Sequence, residues 1–333
     1  PRFTDPGLRS PAEYRSFLRM ACERSLANCR TDHFDLLLLH NPDERGYTEE
    51  NVWKGMSALK EEGMAARLGV APGPANGFTL DLIHCFEQYG ELIDWAMIIL
   101  NPLEPWPGQC VLPAAAKNGV DILTRVVDYG GLFHGDMRRG HEFKPGDHRA
   151  YRPDGWVDWG HDRIEKMRSV IDAHGLSLLH FASLWNLSQN PVKSVVPTFI
   201  QEAGEDARPI EEKIREFGEL PEVVLNTEEI EAVRAAGDNT GCMALKGASN
   251  RHERSERPDE WPMRSELLEL AERHGLGAEW YDHGEKAILV EPRDLRHRER
   301  RLLSFLLLST SVPPLARPLG RSGVRAWPVL PTR

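Results

Sequence analysis

Short apolar runs alternate with stretches whose apolar residues recur every three to four positions, and each predicts an element. Ser10, Pro11 and Glu13 read as the capped start of a helix, with Glu13 closing a capping box. Phe17, Leu18, Ala21, Cys22, Leu26 and Cys29 form its apolar face. "FDLLLLH" (34–40) reads as a fully buried strand. "TEENVWKGMSALKEEG" reads as a helix from Thr48, with Val52, Met56 and Leu59 inward and Gly63 as its stop. "AARLGVA" (65–71) is a strand, "TLDLIHCFEQYG" a helix ending at Gly90, and "WAMIILNP" (95–102) a strand. "LPAAAKNG" is a short helix and "VDILTRVV" (120–127) a strand. A long polar loop, 128–156, precedes two helices, "HDRIEKMRSVIDAHG" and "SLLHFASLWNLSQN", and a last strand, "VKSVVPT" (192–198). "RPIEEKIREFGEL" and "NTEEIEAVRAAG" are helical again.

Apolar strands alternating with amphipathic helices predict a parallel sheet covered on both faces. The spacing is that of a (β/α)8 TIM-type barrel. Roughly five βα units are present where a closed barrel has eight, so the expected fold is an incomplete α/β barrel with extra C-terminal helices. A sheet of that kind has two parallel edges, which invites aggregation. Residues 1–250 carry the barrel pattern, 251–280 a helical extension, and 281–333 an Arg- and Pro-rich tail without periodicity. That tail reads as disordered or non-native, the abrupt change that translation in a shifted frame would give. No GxGxxG follows a strand, so the Rossmann fingerprint is absent.

Charge and cysteine content narrow the class. A net charge of −10 over 333 residues argues against nucleic acid as a partner, since phosphate contact needs a basic face. Five cysteines without CxxC spacing read as free thiols in a reducing compartment. The opening residues carry no basic, apolar leader pattern, and the longest apolar run, 302–312, falls short of the about 20 residues a span needs. The expectation is a cytoplasmic chain with no membrane partner.

Six segments in order then carry a family resemblance. "ERSLANCRTDHFDLLLLHNPD" (23–43), "VWKGMSALKEEGMAARLGVA" (52–71), "IILNPLE", "DILTRVVDYGGLF", "FASLWNLSQNPVKSVVPT" and "RPIEEK" with "LNTEEIEAV" resemble the consecutive motifs of the aldo-keto reductases, over about 10–250. The resemblance implies a barrel whose site lies at the C-terminal strand ends, NADPH as cofactor, a small carbonyl substrate and no metal. It makes His40 the residue that orients and polarises the carbonyl; from position alone, His40 as a simple strand cap stays open. It assigns Asn101, Gly131, Leu132, Arg208 and Glu212 to the cofactor, with Arg208 near the place from which the family reads a 2′-phosphate; from the residues alone, Arg208 and Glu212 as a solvated helix face stays open.

Several family positions differ. The Ser-Asn after Gly-Val is Ala71-Pro72, the nicotinamide-stacking aromatic falls near Arg125, the Pro-Leu of the phosphate loop is Val127-Asp128, and Lys213 replaces an Asn. The family's catalytic Asp, Tyr and Lys precede the first helix and have no counterpart in this sequence; Tyr14 is in the wrong register to stand in. The chain as given is therefore expected to be an inactive, N-terminally truncated member. Two alternatives stay open: a non-catalytic nucleotide-sensing or partner-binding barrel, and a metal-dependent hydrolase. The second would use His134, Asp136, His141 and His148 of the long loop. The same loop also reads as a lid with Arg149 or Arg152 gripping an anion, and before either as a polar loop tied by its own ion pairs. Trp106, Trp156, Trp159 and Trp185 read as packing.

Overall fold

Helix α1 (Tyr14–Cys29) follows a single 3-10 turn at Pro11–Glu13, where the Glu13 carboxylate accepts from the Ser10 N–H (2.7 Å). Its buried stripe is Tyr14, Leu18, Cys22 and Leu26. Cys29, expected on that face, is exposed, and Tyr14 takes part in the core at 2% exposure. The computed structural model describes residues 9–239 other than 43, 73–77, 145, 153–154 and 205–206. The helical extension expected at 251–280 and the tail at 281–333 lie outside the described residues. The chain divides into two compact units, 1–285 and 286–333, and all described residues belong to the first.

Five parallel strands follow in sequence order, β1 (Phe34–His40), β2 (Ala65–Ala71), β3 (Trp95–Ile99), β4 (Asp121–Arg125) and β5 (Val192–Val196). Helices α2 (Glu50–Glu61), α3 (Thr79–Tyr89), α4 (Leu112–Lys117), α5 (Trp156–Ala173) and α6 (Leu178–Leu187) connect them. The order β1-β2-β3-β4-β5 is the neighbour-to-neighbour order of a barrel wall, and among the described residues the sheet remains open with β1 and β5 at its edges. Helices α7 (Ile210–Gly218) and α8 (Thr227–Ala236) come after the last strand.

Three expectations need correction. The strand β1 is not fully buried: Leu36, Leu37 and Leu38 are half-buried and only Leu39 is buried. An edge strand lacks a neighbour on one side, so an apolar run that would be central in a complete wall stays partly open. Helix α2 is capped by Glu49, whose side chain accepts from the Asn51 N–H (3.2 Å), not by Thr48. Helix α5 begins at Trp156, five residues before the polar His161 start, because Trp156, Val157 and Gly160 turn a buried face to the core. Of the tryptophans, Trp106, Trp156 and Trp185 are buried, in keeping with packing roles.

One glycine has a packing reason. A Cβ at Gly69 would lie 2.4 Å from the Trp95 carbonyl oxygen and 2.6 Å from Leu38 Cδ2, so β2 can approach β3 and the Leu38 side chain only without one. No helix among the described residues is long and apolar enough to cross a membrane.

Candidate active site

The C-terminal ends of the strands gather the chemistry. His40 ends β1 opposite Ala71, and the next residue, Asn41, donates its N–H to the Ala71 carbonyl (2.7 Å) from a left-handed conformation (φ 48°). That turn leaves the His40 side chain open to solvent on one side. Partial burial, then the charge of Arg125, hold its imidazole below the usual 6.5. At neutral pH the ring is uncharged and has one N–H to donate.

Arg125 ends β4, yet its guanidinium reaches back over β3 to the Pro72 carbonyl beyond β2 (3.5 Å). Burial pulls this guanidinium down from its ordinary value while Glu104 opposes the shift. A cation thus occupies the position where the family places an aromatic. Val126, directly after it, is held at φ 58°, a strained setting for a β-branched residue. The brace for that strain is Asn101. Its Nδ2 donates to the Val126 carbonyl (3.0 Å) and to Glu104 (2.8 Å), and its Oδ1 accepts from the Leu103 N–H (3.0 Å). Asn101 is fully buried, and its amide is occupied in shaping the mouth.

The phosphate-loop positions fold into a 3-10 turn at Leu132–His134. Gly131 adopts φ 98°, and its N–H is bonded to the Asp128 carbonyl (3.1 Å); Leu132 is buried in the core. Asp128 is itself buried, accepting from the Thr198 hydroxyl (2.9 Å) and lying 3.0 Å from His134 Nε2. Against Gly131 sits the Glu202 carboxylate, where a Cβ would come within 3.1 Å of Oε1. Arg149 clamps that carboxylate through two bonds (2.5 and 2.9 Å) and also holds Asp147 and the Gly130 carbonyl.

Arg208 and Glu212 are brought to the same region by α7 and the residues before it. Arg208 donates to the His134 carbonyl (3.0 Å) and to Glu216 (2.5 Å), while Glu212 is exposed. Lys213, at the position of the family's Asn, is fully buried, paired with Asp136 (2.6 Å) and donating to the Ile200 carbonyl (2.7 Å). Of the residues expected to hold NADPH, Asn101 and Arg208 have side chains engaged by the protein's own carboxylates and carbonyls, while Glu212 stays exposed.

The loop readings resolve differently. His134 faces Asp128, Asp136 faces Lys213, and His141 lies 3.8 Å from Glu202, so the three share no centre. The side chain of His148 lies outside the described residues, and among those described no three His, Cys, Asp or Glu groups converge on a metal position. Both lid candidates line one cavity, but Arg149 is already committed to the carboxylates of Asp147 and Glu202. Sequence reasoning missed Glu202 and the buried Lys213–Asp136 pair. Both partners of each pair are far apart in sequence, and nothing local marks a charged residue for burial.

The aldo/keto reductase family model matches residues 6–236. A solved glycerol dehydrogenase from Gluconobacter oxydans is similar at 21% identity and a TM-score of 0.53, covering 67% of this chain and 64% of that one. An aldo-keto reductase from Bacillus halodurans gives 18% identity and a TM-score of 0.47, covering 67% and 69%. The chain thus spans 64% of the length of the Gluconobacter protein, and at that identity the likeness concerns the fold. No curated protein matches.

Proposed function

Because this chain belongs to the aldo/keto reductase family, we propose that it derives from an NADPH-dependent oxidoreductase of small aldehydes or ketones, with the carbonyl oxygen held by His40. The observation that carries this is the neutral imidazole at the end of β1, beside Arg125. An uncharged ring donates its N–H to the carbonyl without surrendering a proton to solvent, and burial first, with the charge of Arg125 second, favours that form. Delivery of a proton to the substrate oxygen is a separate task. The Asp, Tyr and Lys that the resemblance assigns to it have no counterpart in this sequence, so the chain as given orients a carbonyl without turning it over. The free cysteines Cys22, Cys29, Cys85 and Cys110 support a reducing, cytoplasmic setting.

A second reading, a non-catalytic barrel that binds a partner, is favoured by the engaged cofactor positions, above all Glu202 on Gly131 and Asp136 on Lys213. Fluorescence titration of the chain with NADPH and with NADH, run beside a turnover assay on small aldehydes, separates the two. Saturable NADPH binding in preference to NADH, without turnover, is the expected result. No binding of either nucleotide removes the cofactor assignment and leaves the second reading; turnover by the chain alone overturns the inactivity.

A further inference from the structure

A cavity of about 260 Å³ opens between the long loop and the start of α5, with His40 and the expected cofactor residues outside its lining. Arg152 and Trp156 both line it. Arg152 Nε is buried without a hydrogen-bond partner, and so is the indole Nε1 of Trp156, a residue only 3% exposed. Two buried donors without acceptors, on two residues that line one cavity, mark a missing acceptor, since buried polar groups are nearly always bonded.

Charge decides what kind of acceptor is missing. Burial lowers the guanidinium of Arg152 from its ordinary value, and the opposing carboxylate is that of Glu104, already accepting from Asn101. Among the described residues Arg152 forms no ion pair, in contrast to Arg149 one turn earlier. A water could accept from both donors, but it would leave the cation uncompensated in a desolvated place. Asp158, also on the lining, uses Oδ1 to accept from the Gly140 N–H (2.8 Å) and disfavours a doubly charged guest. His141 and Arg149 complete the polar part of the wall, and Arg149 is already committed to Asp147 and Glu202. Phe143 stacks on Trp156 (5.5 Å between centroids, 9° between planes), with Val157 beside them. The volume falls just under the roughly 300–1,000 Å³ of sites for larger ligands.

We propose that this cavity binds a small organic monocarboxylate, its carboxylate held by the side-on edge of Arg152 and the Trp156 indole N–H and its apolar body against Phe143 and Val157. A guanidinium presents Nε–H and one Nη–H in parallel, the spacing of two carboxylate oxygens, and the indole adds a third donor. The site takes an acid and does not depend on a nicotinamide nucleotide.

Calorimetric titration of the full chain with sodium butyrate, against sodium phosphate and sodium chloride at matched ionic strength, tests it. Saturable binding of butyrate, with phosphate much weaker and chloride absent, is expected. Arg152→Gln should weaken butyrate at least about tenfold, and Trp156→Phe, which removes one N–H and keeps the ring, several-fold. If Arg152→Gln loses its near-UV circular dichroism, Trp156→Phe carries the comparison. Absence of saturable butyrate binding, phosphate binding tighter than butyrate, or variants that bind as the unaltered chain does would each overturn the site. No nucleotide is present, so failure here leaves the reductase reading as it stands.

Discussion

Arg149 and Glu202, 53 residues apart, form a two-bond ion pair in which both side chains are only 4% exposed. Burial alone would lower the guanidinium; the bonds from Glu202 and Asp147 more than reverse this and raise it above its ordinary value. The pair ties the long loop to the segment after β5 and sets a carboxylate against Gly131. Breaking such a pair from one side leaves a stranded buried charge. Arg149→Met is therefore expected to cost about 3–5 kcal/mol, read as a lower urea midpoint with an unchanged slope. A midpoint within experimental error of the parent chain would show that the pair is solvated.

The same reasoning applies to Lys213 and Asp136, whose side chains are 0% and 1% exposed. Lys213→Met alone should destabilise by about 3–5 kcal/mol, because it leaves the Asp136 carboxylate unpaired. Combining it with Asp136→Leu should recover most of that loss, because a buried pair replaced by apolar residues of similar size is often neutral. Thermal unfolding of the three variants measures the coupling. Simple additivity of the two single changes would mean that the side chains do not meet.

His40 gives a prediction in pH. Its imidazole is held below 6.5 by burial first and the Arg125 charge second. The unfolded chain then binds a proton more readily than the folded one, so this group's contribution to stability falls as pH drops below about 6.5 toward the folded-state value. Histidine ring-proton shifts followed by NMR should place the His40 midpoint below that of an unperturbed histidine. Arg125→Leu should move it part of the way back, leaving the share due to burial. A His40 midpoint that ignores the loss of Arg125 would remove the guanidinium from the neighbourhood of the imidazole.

Much of this was legible along the chain. The runs 34–40 and 65–71 name their own strands, because short runs rich in Leu and Val bounded by polar or turn residues suit a strand better than a helix. The spacing of Val52, Met56 and Leu59 names the buried face of α2. The family and His40's place at a strand end were read the same way, because such signals are local and ordered in sequence. The sequence by itself could not say that β1 lies at an edge, that Arg125 lies over β2, or that Glu202 and Asp136 close on Gly131 and Lys213. Those contacts join residues separated by 53 to 77 positions, and a carboxylate destined for burial looks like any other until its partner arrives. Only the tertiary structure decided that Asn101 and Arg208 are satisfied from within and that Arg152 and Trp156, each with a buried unpaired donor, line one cavity. Pairing and desolvation are properties of distance in space, and no pattern of residue types fixes those distances.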